Sequence, residues 1–422
     1  MKAVVFTLGC KVNDVESGSI IRGLKELGYE VSRELGYADL YIVNTCAVTA
    51  EAERKSRQTI GRALKYNKNA KMIVCGCASE KNAKAFLDKG ESVFAVLGAK
   101  RKSEVLKIVA SGFDERYRGT PPQENNDKYE EMPIPECLKT RAFVKIQDGC
   151  NRFCSYCVIP YLRGRSRSRN AQSSAQEILQ STAMETVITG IDLSDYKDEN
   201  GCDLVGLLSL IQNANTRIRL GSMEVSMVTD ELLNALKALR FFAPHFHLSL
   251  QSGSNRVLKS MNRHYTREEY LQKCQMIYNA FPNASITTDI IVGFPTETEE
   301  DFLQSLAIVK EAGFSQIHAF PYSAREGTNA YKKYKELPHE VKKERVERLL
   351  KAGQAQKEKY LQKFVDKTLT IAPENCIDGY TEGYAENYIR VYIRGEIAKT
   401  LTQVRVERTF KDGVLAFVIE NK

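Results

Sequence analysis

A chain of 422 residues with 43% hydrophobic residues can bury a full core, and its size predicts two or three domains. A formal charge of +8 favours approach to a polyanion such as RNA without demanding it, because the same excess also serves solubility. No apolar run reaches bilayer-spanning length and the opening MKAVVFTLGC reads as a strand rather than an export signal, so the expectation is a cytoplasmic protein with no membrane contact, whose eleven cysteines stay reduced.

Residues 1–115 alternate apolar runs (Lys2–Thr7, Leu40–Asn44, Lys71–Cys75) with longer charged stretches, the pattern of a parallel α/β domain. Cys10 in TLGCKVND, Cys46 in NTCAVT and Cys77 in CGCASE each fall just beyond one of these runs. In a parallel sheet those three ends share an edge, so thiols far apart in sequence gather into one three-cysteine site; the alternative is that they are small core fillers. Cys75 competes with Cys77, since residues two apart on a strand point the same way, and the turn at Gly76 favours Cys77. Residues 116–136 are polar and lack apolar periodicity, which predicts a linker.

Residues 137–363 return to alternation, with candidate strands AFVKI, TVITG, RIRLGSM, FHLSL, ITTDIIV and QIHAF interleaved with helix-like stretches, a layout that predicts an open, partial barrel of six βα units. Just past the first strand, CNRFCSYC places Cys150, Cys154 and Cys157 within eight residues. Three thiolates without a fourth nearby ligand point to a 4Fe-4S cluster with one open iron; a structural zinc site, which closes its tetrahedron with four protein ligands, or plain thiols are the alternatives. Arg163, Arg165, Arg167 and Arg169 alternate in RGRSRSR, and an extended conformation aims all four one way, toward a carboxylate, RNA phosphates or solvent. Gly190, Gln251, Ser252, Asp289 and Gly293 lie at or near strand ends, where they contact a cofactor or serve as ordinary turns and caps. Thr296 with Glu299 predicts a capping box ahead of Phe302, while His245 and His247 flank a strand start and are expected to pack. From Leu337 to Lys363 a charged helix carries a Val341, Val346, Leu349, Leu350 stripe.

Residues 364–422 contain short β-like runs divided by glycines, which predicts a small β-barrel. Tyr380, Tyr384, Tyr388 and Tyr392 interleave there with Arg390 and Arg394, a composition that suits stacking on unpaired bases or filling the barrel core.

TLGCKVND, NTCAVTAEAERKS, GCAS, CNRFCSYCVIPYLRGRSRSR, QSGS and DIIVGFPTET together resemble the radical S-adenosylmethionine tRNA methylthiotransferases over nearly the whole chain, and GYTEGYAENYIRVY is most similar to the branch acting on threonylcarbamoyladenosine. The resemblance implies a fold of N-terminal α/β domain, central (β/α)6 radical enzyme barrel and C-terminal TRAM-like barrel. It implies that Cys150, Cys154 and Cys157 hold a 4Fe-4S cluster that binds and cleaves S-adenosylmethionine. The resulting 5'-deoxyadenosyl radical acts on carbon 2 of the adenine, while a second 4Fe-4S cluster on Cys10, Cys46 and Cys77 handles the inserted sulfur and a second S-adenosylmethionine gives the methyl group. Implied partners are the tRNA anticodon stem-loop, an electron donor of flavodoxin or ferredoxin type and a sulfur donor, with Arg163, Arg165, Arg167, Arg169, Tyr384, Tyr388 and Arg390 as RNA contacts. The chain departs from the family where an aromatic, Ala and Gln are usual after the cysteine and it has Ala78, Ser79 and Glu80; Cys75 stands where Thr is usual. Competing functions are methylthiolation of isopentenyladenosine or of a ribosomal-protein aspartate, and, in another class, a metal-stabilised RNA-binding protein without catalysis.

Overall fold

The computed structural model describes residues 1–121, 128–135 and 140–419. Two compact units result: Met1–Cys137 with Lys145–Arg169 and Arg325–Thr328, and Leu138–Val144 with Asn170–Ala324 and Asn329–Lys422. The cysteine loop that was expected within residues 137–363 thus groups with the N-terminal sheet.

In the first unit, strands β1 (Lys2–Thr7), β2 (Glu30–Ser32), β3 (Leu40–Thr45), β4 (Lys71–Gly76) and β5 (Val93–Val96) form a parallel sheet in the order 2-1-3-4-5. This is a doubly wound order, whose strand succession reverses between β1 and β3, and ligands of such sheets gather at the carboxyl ends around that point. Both faces are covered, so β3 is buried at every position. Helix α1 (Lys11–Glu26) buries Ile20, Ile21 and Leu24 on one face of the sheet, yet the same helical stripe continues toward its N-terminus through Asn13, Glu16 and Ser17. The described part of the stretch expected to be a linker is tied down. Gly119 donates to the Phe94 carbonyl at 2.8 Å, Glu130 accepts from the Ser103 N–H at 2.7 Å, and Tyr129 donates to the Lys145 carbonyl at 2.8 Å. The remainder of that stretch lies outside the described residues.

The second unit contains all six expected strands, at Arg141–Lys145, Glu185–Thr189, Arg217–Leu220, His245–Leu248, Ser285–Val292 and Gln316–Pro321. They form a three-stranded and a four-stranded sheet, joined where Ile218 exchanges backbone hydrogen bonds with the Phe241–Ala243 segment at 2.8 Å. Ile218, Leu220, Phe246, Leu248, Ile286 and Ile290 belong to the buried core at alternate positions, and the intervening residues Glu185, Arg217, Arg219, His245, His247, Thr287, Asp289 and His318 line a polar face. The cap of the helix Glu299–Glu311 differs from expectation: Thr298 and Asp301 make the capping box, because Arg256 and Ser254 hold the Asp301 carboxylate in place, while the buried Thr296 hydroxyl has no hydrogen-bond partner among the described residues. The stripe on the long helix His339–Gln362 is also rotated from expectation. Its buried face is Lys342, Arg345, Leu349, Gly353, Gln356 and Tyr360, and Leu350 is exposed.

The C-terminal strands close into a five-stranded barrel, Thr368–Ile377, Tyr380–Ala385, Arg390–Arg394, Gly413–Val418 and Thr402–Phe410 in spatial order. It seats on the amino ends of the central strands. Glu185 is fully buried among Arg219 (Nε at 2.8 Å, Nη2 at 2.6 Å), Arg217 (Nε at 2.7 Å) and Arg141 (Nε at 2.8 Å). The same Arg217 and Arg219 donate to the barrel carbonyls of Thr370, Tyr384, Ala385 and Glu386. With that end of the polar face closed, its carboxyl end is the one left for ligands.

Candidate functional site

Cys10, Cys46 and Cys77 sit just beyond β1, β3 and β4, at the switch point of the N-terminal sheet. Their thiols are close enough to perturb one another: burial raises Cys46 and Cys77, and the neighbouring thiols raise both further. Gly9 (φ +107°) makes the approach possible, since a Cβ there would lie 2.9 Å from Cys46 Sγ. The N–H of Val48 donates to Cys46 Sγ at 3.5 Å and the Ser56 hydroxyl accepts the Cys46 N–H at 3.2 Å.

Cys75 and Cys77 do not point the same way. Cys75 is the last core residue of β4, packed with Ile73 and Phe94, and burial pushes its thiol up to about 12; Cys77 has turned out of the strand into the short helix Cys77–Lys81 and packs with Ala78 and Val158 on the opposite face. Gly76 (φ +110°) makes this turn, which ends the two-residue periodicity on which the sequence comparison of the two cysteines relied. The unusual Ser79 donates to the Leu97 carbonyl at 2.7 Å, and Glu80 accepts the Ala99 N–H at 3.0 Å.

Cys150, Cys154 and Cys157 are half-buried in a loop shaped by positive φ at Gly149 and Phe153. The N–H groups of Arg152 and Ile159 donate to Cys150 Sγ and Cys157 Sγ at 3.4 Å each. Amide donors of this kind favour the thiolate form that a metal requires. From Cys157 the chain runs into Val158 and Leu162, which pack in the same apolar cluster as Cys77 and Ala78.

Beneath lies a buried charge network absent from the sequence expectations. Arg163 donates to Glu16 Oε1 at 3.0 Å, Asp148 Oδ1 at 2.8 Å and Asn13 Oδ1 at 2.6 Å; Lys145 reaches Glu16 Oε1 at 2.6 Å and Asp148 Oδ2 at 2.7 Å; Lys102 pairs with Glu16 and donates to Asn13 Oδ1 at 3.0 Å. Burial opposes ionisation of Glu16 and Asp148, but Arg163 with Lys102 and Lys145 at Glu16, and Arg163 with Lys145 and Arg167 at Asp148, outweigh it and hold both carboxyls well below the usual range. The signal for Glu16 was present in the sequence, as a polar interruption of the α1 apolar stripe. Arg325, far away in sequence, donates to the carbonyl of Ala47 beside Cys46 and to Glu53, both at 2.7 Å, and no local pattern announces it.

The arginine run is not one solvent-facing comb. Arg163 is fully buried, Arg167 is buried against the Arg163 carbonyl at 2.7 Å, and Arg169 is buried beside Glu131 at 3.3 Å; the carboxylates of Glu16 and Glu131 that Arg163 and Arg169 meet come from distant segments, whereas Arg167 is held by carbonyls of the run itself. Arg165 alone is exposed, over the Phe153 ring at 4.4 Å. The barrel residues expected at RNA, Tyr384, Tyr388 and Arg390, are half-buried and have partners within their unit. Tyr388 stacks on His245 at 4.4 Å and on Tyr384 at 4.8 Å, Arg141 lies 4.7 Å from the Tyr384 ring, and Arg390 pairs with Glu382 and Asp412, so all three residues are engaged within the unit.

Among the expected cofactor contacts, Gly190 and Asp289 are half-buried toward the carboxyl ends of their strands. Gln251 (φ +65°) donates its backbone N–H to the Asp289 carbonyl at 2.8 Å, which sets the two side by side. Ser252 is fully buried and its hydroxyl accepts the Ser254 N–H at 3.2 Å, a turn role. Gly293 (φ +69°) is explained by packing, because a Cβ there would lie 2.4 Å from Lys342 Cγ. His247 does more than pack: its Nε2 is 3.3 Å from Asp289 Oδ2, its Nδ1 is 2.9 Å from Thr287 Oγ1, and His318 joins the group from the next strand.

Comparison with known proteins places these features. Residues 2–98 match the family described as Uncharacterized protein family UPF0004, and residues 144–309 match the Radical SAM superfamily. The chain is 37% identical to threonylcarbamoyladenosine tRNA methylthiotransferase MtaB of Bacillus subtilis (strain 168), over 90% of this chain and 89% of that protein. It is 39% identical to MtaB of Aquifex aeolicus (strain VF5), over 90% and 98%. It is also 35% identical to tRNA-2-methylthio-N(6)-dimethylallyladenosine synthase of Clostridium tetani (strain Massachusetts / E88), over 87% and 84%. Among solved structures, the radical S-adenosylmethionine methyltransferase TsrM from Kitasatospora setae shares the fold, with a TM-score of 0.56 and 14% identity over 78% of this chain and 77% of that one.

Proposed function

This chain belongs to the radical S-adenosylmethionine tRNA methylthiotransferase family, and we propose that it inserts a methylthio group at carbon 2 of threonylcarbamoyladenosine next to the anticodon in tRNA. The observation that carries the reading is the presence of two three-cysteine sets in one compact unit, with backbone N–H groups donated to sulfur in both. Cys150, Cys154 and Cys157 would hold one 4Fe-4S cluster and Cys10, Cys46 and Cys77 a second; the donor sets fit, being soft thiols with amide donors and a cationic floor. When bound, the clusters and S-adenosylmethionine supply the radical and sulfur chemistry.

The chain's own residues prepare the place for it. Amide donors stabilise thiolates, the bare Gly9 leaves room for Cys46 to approach, Gly76 turns Cys77 out of the end of β4, and the closed amino end of the central strands leaves Gly190, Gln251 and the His247, Asp289, His318 group to meet the polar parts of S-adenosylmethionine. Arg165 is the arginine of the run available to RNA phosphate. An electron donor of flavodoxin or ferredoxin type, a sulfur donor and a cytoplasmic location complete the proposal. We assign residues 1–115 to the auxiliary-cluster domain, 137–363 to the radical enzyme domain and 364–422 to the RNA-binding barrel. Among the described residues no helix is long and apolar enough to cross a membrane.

Nucleoside mass spectrometry of tRNA from cells with and without the gene tests the reading. Loss of the 2-methylthio form of threonylcarbamoyladenosine is expected. Loss of the dimethylallyl counterpart would favour a second reading, for which the 35% identity to the Clostridium tetani protein speaks; no change in either nucleoside would overturn both.

A further inference from the structure

Arg163 stands six residues past Cys157, yet it works among the elements that carry the other cysteines. Its Nη2 donates to Asn13 Oδ1 at 2.6 Å, and the same Asn13 amide donates to the carbonyls of Leu8 at 2.7 Å and Thr45 at 3.1 Å, which immediately precede the turns of Cys10 and Cys46. The segment leading to Arg163 packs through Val158 and Leu162 against Cys77 and Ala78. The Arg163 guanidinium, through Asn13, and the segment leading to it, through Val158 and Leu162, together link the loop of the first cysteine set to all three positions of the second.

Among the described residues the charges around it do not balance. Lys102, Lys145, Arg163 and Arg167 are buried, against the buried carboxylates of Glu16 and Asp148, so a positive excess remains even when the nearby Glu130 carboxyl is counted as ionised. Arg163 Nε is buried and finds no hydrogen-bond partner among the described residues. Unpaired buried cations are costly, and an apolar interior keeps them only where an anion shares the site. Three thiolates on an iron-sulfur centre carry net negative charge and meet that demand.

We infer that Arg163 is a positioning residue for the centre held by Cys10, Cys46 and Cys77: its fixed positive charge, locked by Asn13, Glu16 and Asp148, stabilises the reduced, more negative state of that centre and so raises its reduction potential. This rests on the cluster assignment made above. Neighbouring fixed charge and hydrogen bonding at sulfur are the levers a protein has over such a potential.

The test uses full-length protein with Cys150, Cys154 and Cys157 replaced by alanine, so that the auxiliary centre alone is titrated by anaerobic electron paramagnetic resonance. R163Q is expected to shift the midpoint negative by at least a tenfold change in the one-electron equilibrium, ~59 mV. R163K, which keeps the charge and loses the fork, falls between. E16Q removes an anion and shifts the midpoint the opposite way, a sign reversal that a general packing defect does not produce. R165Q, at the exposed position, leaves it unchanged. Equal midpoints in all variants, or the same sign for R163Q and E16Q, would overturn the inference; should R163Q hold no iron, R163K and E16Q decide by the same sign rule. If the parent protein itself binds no four-iron centre, the functional reading fails instead.

Discussion

Replacing Glu185 with glutamine removes one negative charge from a pocket that holds three guanidiniums. The carboxylate is fully buried, takes two hydrogen bonds from Arg219 and one from Arg217, and makes an ion pair with Arg141 at 2.8 Å. Burial raises its pKa, but Arg219, Arg217 and Arg141 overcome that and bring it from 4.5 to about 2. That shift corresponds to about 3 kcal/mol, and breaking a buried pair by deleting one partner costs about 3–5 kcal/mol. E185Q should therefore lower stability by about 3 kcal/mol, roughly a hundredfold in the opening equilibrium. Urea unfolding followed by circular dichroism measures the loss, and native-state hydrogen exchange over Glu185–Thr189 locates it. The pH dependence has a definite sign. A depressed carboxyl pKa means the unfolded chain binds more protons, so this contribution is complete above about pH 4.5 and drains away as the pH falls toward 2. E185Q should flatten the stability profile in that window. E407Q, whose pair with Arg394 is solvent-exposed, should leave the urea midpoint nearly where it is. An E185Q loss no larger than that of E407Q would mean the arginines are solvated and the docking described above is wrong.

Alanine at Cys77 should remove roughly half of the iron after anaerobic reconstitution, whereas C75A should retain all of it, as iron and sulfide analysis will tell. G293A forces a side chain into a left-handed turn against Lys342 and should destabilise the protein by about 1–3 kcal/mol in urea titrations. T298A should cost about 1 kcal/mol by removing the helix cap, and T296A less. R165A should weaken tRNA binding with a salt dependence shallower by about one counterion, read from filter binding across a salt series; an unchanged slope would remove Arg165 from the RNA interface.

The sequence revealed most where periodicity and chemistry agreed. The six central strands alternate apolar and polar residues, and a two-residue period survives without any knowledge of what covers the polar face. Tyr380–Ala385 escaped notice because the residues it turns inward are Thr381, Gly383 and Ala385, too small and too mixed to read as an apolar stripe. Val93–Val96 is four buried residues, too short a run to assign, and Glu30–Ser32 is shorter still. The cysteines were identifiable by their place after apolar runs, but choosing between Cys75 and Cys77 needed the turn at Gly76. Charge was the weakest guide: the local sequence leaves a carboxylate, RNA phosphates and solvent all open to Arg163, because Glu16 and Asn13, which pair with and orient it, lie some 150 residues upstream.

The way the C-terminal barrel is seated separates attachment from recognition. Arg217 and Arg219 grip main-chain oxygens, which every residue type supplies, so most side chains of the barrel are not committed to the joint. Its outer surface is thereby left to drift or be redesigned, within the limits of its own core, without unseating the module from the catalytic body.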